Sequence, residues 1–426
     1  MKKNRLLENI TFFLFAALTL LVCRSKSAVD IVFGILILIS VYYLIRHADR
    51  EYLKQNRHII VLLLPLAVGF CLSLFSLAGP VKGAVVFLER YRFFLMVIPF
   101  TLFVRSEKKI NTLFILLNVT AFVAVVYGFT QLHMPKIWGK SVGFHTIGRN
   151  SDLLMSIGLI NLVGLLSYRV ENRAWNIASK VLIGTNTALI LTAVFLMLRR
   201  GSYLGLVVGI FVFLIATRKK KILALVIIAL CSALFFTNSV VVQRVKSIVD
   251  FKDDNSNRER IQLFRTGTAY LIDERLFFHG TGGKNSVEPF TEYFYSHSAE
   301  YQKKNVDIVR KQYFGNFHNS FLQMAVEYGL FFLLCYLASI FYILVRLFKS
   351  LRYLTGNHKV YPMAAIVITF GFFVSQFFHS DLYSYGGIPF LLTSAAGCHV
   401  FNQQQIQAKK TDTGGIPHAT TDYDGR

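Results

Sequence analysis

Apolar residues in this chain are gathered into long unbroken runs rather than spaced at helical or strand intervals. Reading along the sequence, the runs fall at about 9–23, 29–45, 59–78, 85–104, 110–132, 152–167, 177–198, 201–217, 222–238, 320–345, 361–378 and 385–401. Runs of this length match the thickness of a hydrocarbon core when coiled as helices. The pattern predicts an all-α polytopic membrane protein with about twelve spans. A single long polar stretch, 239–317, separates the ninth span from the tenth. The expected organisation is spans one to nine over 1–238, a loop domain over 239–319, spans ten to twelve over 320–401, and a disordered polar tail over 402–426.

Composition agrees and charge sets the topology. The chain has 426 residues, 54% hydrophobic and 15% aromatic, which excludes a disordered chain; the run lengths exclude a soluble enzyme. The net charge of +23 in a soluble protein would point to nucleic acid. In a membrane protein it reports loop orientation and anionic head groups instead, so membrane lipids and not nucleic acid are the expected partners. Alternate loops, beginning with the N-terminus, hold 24 of the 46 Lys and Arg residues; the opposite side holds 10, and the long polar stretch holds 12. Both termini are therefore expected in the cytoplasm. The stretch 239–317, Arg199-Arg200, the loop 133–151 and His379-Ser380-Asp381 then fall on the outer side. Five scattered cysteines form no CxxC pair, and no glycine-rich nucleotide loop is present. No metal site and no cofactor are expected.

Several polar groups at the outer side carry possible chemistry. His318-Asn319 stands where the long stretch meets the tenth span. An imidazole there suits a general base, while Asn319 and Ser320 equally suit a helix cap. Arg199-Arg200 interrupts two apolar runs, and guanidinium binds phosphate bidentately without losing charge; a snorkelling pair at a helix end is the structural alternative. Arg258, Arg260 and Arg265 lie on a basic segment expected to open a helix, ahead of Gly280-Thr281-Gly282-Gly283. In Glu89-Arg90-Tyr91-Arg92, an internal ion pair competes with a binding role for Arg92. Asp381 is a possible substrate contact.

Taken together, these motifs resemble the O-antigen ligase and polymerase superfamily of bacterial inner-membrane proteins. Its pattern is Arg-Gly after a long span, an Arg ahead of a Gly-x-Gly loop, then His-Asn and a Gly; here these are Arg200-Gly201, Arg260 with Gly280-Thr281-Gly282, and His318-Asn319 with Gly329. Arg199 stands where the pattern has Ser or Thr, and Phe332 replaces a second glycine. The resemblance implies a metal-independent inverting glycosyl transfer from an undecaprenyl-diphosphate-linked glycan to a sugar of lipid A–core, at the periplasmic face of a Gram-negative inner membrane. It implies His318 as base and Arg200 and Arg260 as diphosphate ligands. Arg199, Arg92, Asn319, Arg265, Gly280, Gly282 and Asp381 are implied as further substrate contacts. The alternatives are an O-antigen polymerase with the same donor, a protein oligosaccharyltransferase, and a polysaccharide transporter without catalysis.

Overall fold

The computed structural model describes residues 2–23, 25–47, 56–76, 79–130, 147–197, 199–218, 255–283, 287–297, 317–378 and 387–412. Every regular element among them is helical. In chain order these are α1 (Lys2–Leu21), α2 (Lys26–His47), α3 (Arg57–Ser73), α4 (Pro80–Tyr91), a 3₁₀ turn (Arg92–Met96), α5 (Val97–Phe103), α6 (Glu107–Thr130) and α7 (Ile147–Ser167). There follow α8 (Arg173–Leu196), α9 (Arg200–Ala216), α10 (Asn255–Asp273), α11 (Val287–His297), α12 (Ser320–Tyr328), α13 (Leu330–Tyr353), α14 (Val360–Gln376) and α15 (Ile388–Asp412).

Among the described residues five segments are long and apolar enough to cross a membrane: Ser27–Arg46, Glu107–Thr130, Arg173–Leu196, Leu330–Tyr353 and Gly356–Gln376. Four shorter apolar helices, Leu6–Leu21, Ile60–Ser73, Ser151–Ser167 and Arg200–Ala216, pack among them. The chain is thus an integral membrane protein whose described regular elements are all helices. The ninth run, residues 133–146 of the outer loop, His379-Ser380-Asp381 and residues 413–426 lie outside the described residues.

α14 is the hub of the bundle, buried along most of its length and packed on α7, α9, α13 and α15. Its contact with α9 is backbone to backbone. A Cβ at Gly205 would lie 2.4 Å from the Gly371 carbonyl oxygen, and one at Gly371 would lie 2.8 Å from that of Gly205. In lipid, where tails are as apolar as leucine, such close approach of small residues is what holds helices together.

Three boundaries differ from the reading of the runs. The tenth run, 320–345, is two helices, because Gly329 takes φ +90, which ends α12 and starts α13 on a new axis. The fourth run, 85–104, breaks at Arg92, where the chain tightens into a 3₁₀ turn. The last helix continues beyond Phe401 to Asp412, against the expectation of a disordered tail from 402. Its extra turn is anchored: Asn402 is buried against Arg346 and Asn56, and Gln403 donates to the Arg105 carbonyl at 2.8 Å.

A second, smaller core lies beside the main one. Leu263, Tyr270 and Leu271 of α10 pack with Phe290 and Phe294 of α11, with Phe317, and with Leu322 and Val326 of α12. This satellite core is what fixes the polar stretch against the bundle at His318.

Candidate active site

α10 buries one stripe and exposes the opposite one. Arg260, Gly267 and Leu271 recur at the i, i+7, i+11 spacing of a single helical face. That face meets the residue before His318: a Cβ at Gly267 would lie 2.8 Å from the Phe317 ring. Arg260, two turns earlier on the same face, is half-buried, whereas Arg265 points away and is exposed. Rotation about the helix axis, rather than distance along the chain, separates the two arginines.

Arg199 and Arg200 open α9. Arg199 occupies the N-cap and is half-buried, and Arg200 is the first helical residue, only 6% exposed. Two residues on, the Ser202 hydroxyl donates to Asp152 Oδ1 at 2.8 Å, and the Ser151 hydroxyl lies 2.9 Å from it. Asp152 is fully buried near the start of α7. A carboxylate inside an apolar helix is costly and marks a site of structural or functional pairing. Here it pins the first turn of α9, and with it the arginine doublet.

His318 precedes α12 and is half-buried. Asn319 caps that helix, its Oδ1 accepting from the Phe321 and Leu322 amides at 3.0 Å each. Burial, then the charges of Arg260 and Arg199, push the imidazole down to about 4. The neutral form therefore prevails at pH 7, with a lone pair able to accept a proton. Three residues far apart in sequence thus act on one another in space: Arg199, Arg260 and His318. Of the doublet, it is Arg199 whose field reaches the imidazole.

The glycine loop has a packing reason. The Thr281 and Gly282 amides donate to the Val326 and Glu327 carbonyls at 2.9 and 2.7 Å, closing the loop over the end of α12. Both glycines have positive φ, and a Cβ at Gly280 would strike the Glu327 backbone at 2.4 Å, while one at Gly282 would strike the Ser76 hydroxyl at 2.0 Å. Those two amides are spent on the fold.

At the end of α4 and the start of the 3₁₀ turn the arginines are matched by acids. Arg92 donates to Asp30 at 2.8 Å and stacks on Phe93, and Arg90 pairs with Glu327, which is fully buried. Glu327, Asp152 and Asp30 were not singled out in the sequence, although for Asp152 and Asp30 a lone acid in the first turn of an apolar run was the available signal. Among the described residues no group of three or more His, Cys, Asp or Glu is placed to hold a metal ion. Asp381 lies outside the described residues.

Compared with curated proteins, the chain matches none. Residues 185–337 match the family model described as O-antigen ligase, and that stretch contains Arg199, Arg200, Arg260 and His318. The match supports the chain as a member of the O-antigen ligase and polymerase superfamily.

Proposed function

We propose that the protein is an O-antigen ligase, transferring a glycan from undecaprenyl diphosphate to a sugar hydroxyl of lipid A–core at the periplasmic face of the inner membrane. The coarser part, a ligase or polymerase-like enzyme acting on a lipid-linked polysaccharide, follows from the family match. The observation that carries the finer reading is the convergence of Arg260 and Arg199 on a neutral His318.

The chemistry suits those groups. Attack of the acceptor oxygen on the anomeric carbon forms one C–O bond and breaks the C–O bond to the diphosphate, with inversion. The leaving group departs as an anion, and fixed guanidinium groups stabilise the growing charge where a divalent cation would otherwise do so. Arg200 and Arg260 are assigned that role, with Arg199 flanking them. The acceptor's proton passes to His318.

The arginines also couple donor binding to basicity. Burial, and after it the charge of Arg260 and Arg199, holds the imidazole near 4, which makes it a weak base. A bound diphosphate offsets that charge, so His318 becomes more basic when the donor is in place.

The test is transfer by purified protein in vesicles, given undecaprenyl-diphosphate glycan with lipid A–core, or the donor alone. Glycan on lipid A–core supports the ligase. Longer lipid-linked chains without core modification make the protein a polymerase using the same groups. Absence of product from folded protein overturns both and leaves transport. Turnover should persist in excess EDTA; loss restored by magnesium would overturn the arginine assignment.

A further inference from the structure

His318 has φ +53, in the left-handed region that side chains rarely occupy. For a residue other than glycine this costs about 1–2 kcal/mol and persists only where the surroundings over-determine it. On its C-terminal side the Asn319 cap supplies the constraint. On its N-terminal side the Phe317 amide donates to Gln323 Oε1 at 2.9 Å, and Gln323 is 1% exposed. Gln323 Nε2 in turn donates to Glu327, one turn further along α12, and Glu327 takes Arg90 from α4.

Every donor in this chain points toward the Glu327 carboxylate. That fixes which end of the Gln323 amide faces Phe317, because a flipped amide would set N–H against N–H at one end and oxygen against oxygen at the other. The carboxylate pairs with Arg90, and the Gly282 amide on its backbone carbonyl holds the same turn of α12.

We propose that Arg90, Glu327 and Gln323 form a positioning relay that holds His318 in its left-handed conformation at the start of α12. The inference rests on the reading of His318 as the acceptor's base. None of the three touches the reacting atoms. The relay makes α4, whose arginine is otherwise a scaffold element, part of the machinery that aims the imidazole.

The relay predicts a specific pattern in variants of the full-length protein, measured by transfer from undecaprenyl-diphosphate glycan to lipid A–core. Gln323→Leu leaves the Phe317 amide without its acceptor, so kcat should fall by about 100-fold while the donor KM stays within about threefold. Its acid limb of kcat/KM should also move up toward the ordinary histidine value of 6.5, as the imidazole leaves its buried place and the field of the arginines. A purely structural role would lower the folded fraction and leave that limb in place. Gln323→Glu sets two carboxylates together and should be impaired as well. Combining it with Glu327→Gln restores one acid, one amide and an acceptor facing Phe317, and should recover kcat to within about fivefold of wild type.

Wild-type kcat and an unmoved acid limb in Gln323→Leu would overturn the relay. Should that variant fail to fold, the exchange pair decides: recovery supports the relay, and a folded double variant no more active than Gln323→Glu overturns it. His318→Ala separates the two levels. If it retains turnover, the base reading itself fails; if it is inactive while Gln323→Leu is normal, only the relay fails.

Discussion

Two sets of arginines stand in the described part of this protein, and they act on different neighbours. Arg90 on α4 meets a fully buried Glu327, and Arg92, which opens the 3₁₀ turn behind it, meets Asp30 at 2.8 Å. There each positive charge has an acid, and the pairs tie α4 to α12 and to α2. At the start of α9 and on α10, Arg199 and Arg260 instead sum their fields on one imidazole. An arginine matched by a carboxylate braces helices. Arginines that converge on a histidine make a place where an anion lowers the energy of everything around it. The second arrangement is the one that invites a diphosphate.

The sharpest way to probe the scaffold side is Glu327→Ala. It strands Arg90 and should destabilise the protein by about 3–5 kcal/mol, seen as a lowered thermal unfolding midpoint in detergent. On the site side, Arg260→Ala and Arg200→Ala should each cost about 100-fold or more in kcat, close to 3 kcal/mol of transition-state stabilisation. Retained turnover in both would remove the distinction between the two sets.

A smaller effect separates Arg260 from a mere lipid anchor. Removing its charge in Arg260→Gln stabilises the imidazolium, so the pKa of His318 must rise from about 4 toward 6.5. The acid limb of residual kcat/KM should shift upward in step, and a limb that stays in place would place Arg260 elsewhere. The smallest effect belongs to Arg92→Ala. Its pair with Asp30 is about a quarter exposed on either side, so the loss should be below about 1 kcal/mol in stability, with kcat within tenfold of wild type.

Much of this could be read from the sequence, because a membrane core demands long apolar runs and the runs are helices in the structure wherever they are described. Motif spacing singled out Arg200, Arg260 and His318, and the structure brings the charges of Arg260 and Arg199 to bear on His318. Arg260 could not be told from Arg258 or Arg265 by counting, since the choice depends on which stripe of α10 faces Phe317. Glu327 was hidden for another reason. It sits in an apolar run that reads as one span, and only the break at Gly329 makes α12 a separate helix with a polar network of its own. Asp152 opens the sixth run, and only its burial beside Ser202 shows that it sets the doublet's place. A single glycine in a long apolar run looks like packing; its φ of +90 is visible only in three dimensions.

The most direct measurement is release of undecaprenyl diphosphate together with transfer of its glycan to lipid A–core, followed in wild type, Arg260→Ala and His318→Ala. A single centre built from these groups predicts one diphosphate released per glycan transferred, with both products falling together by about 100-fold or more in each variant. Turnover within tenfold of wild type in either variant would contradict it.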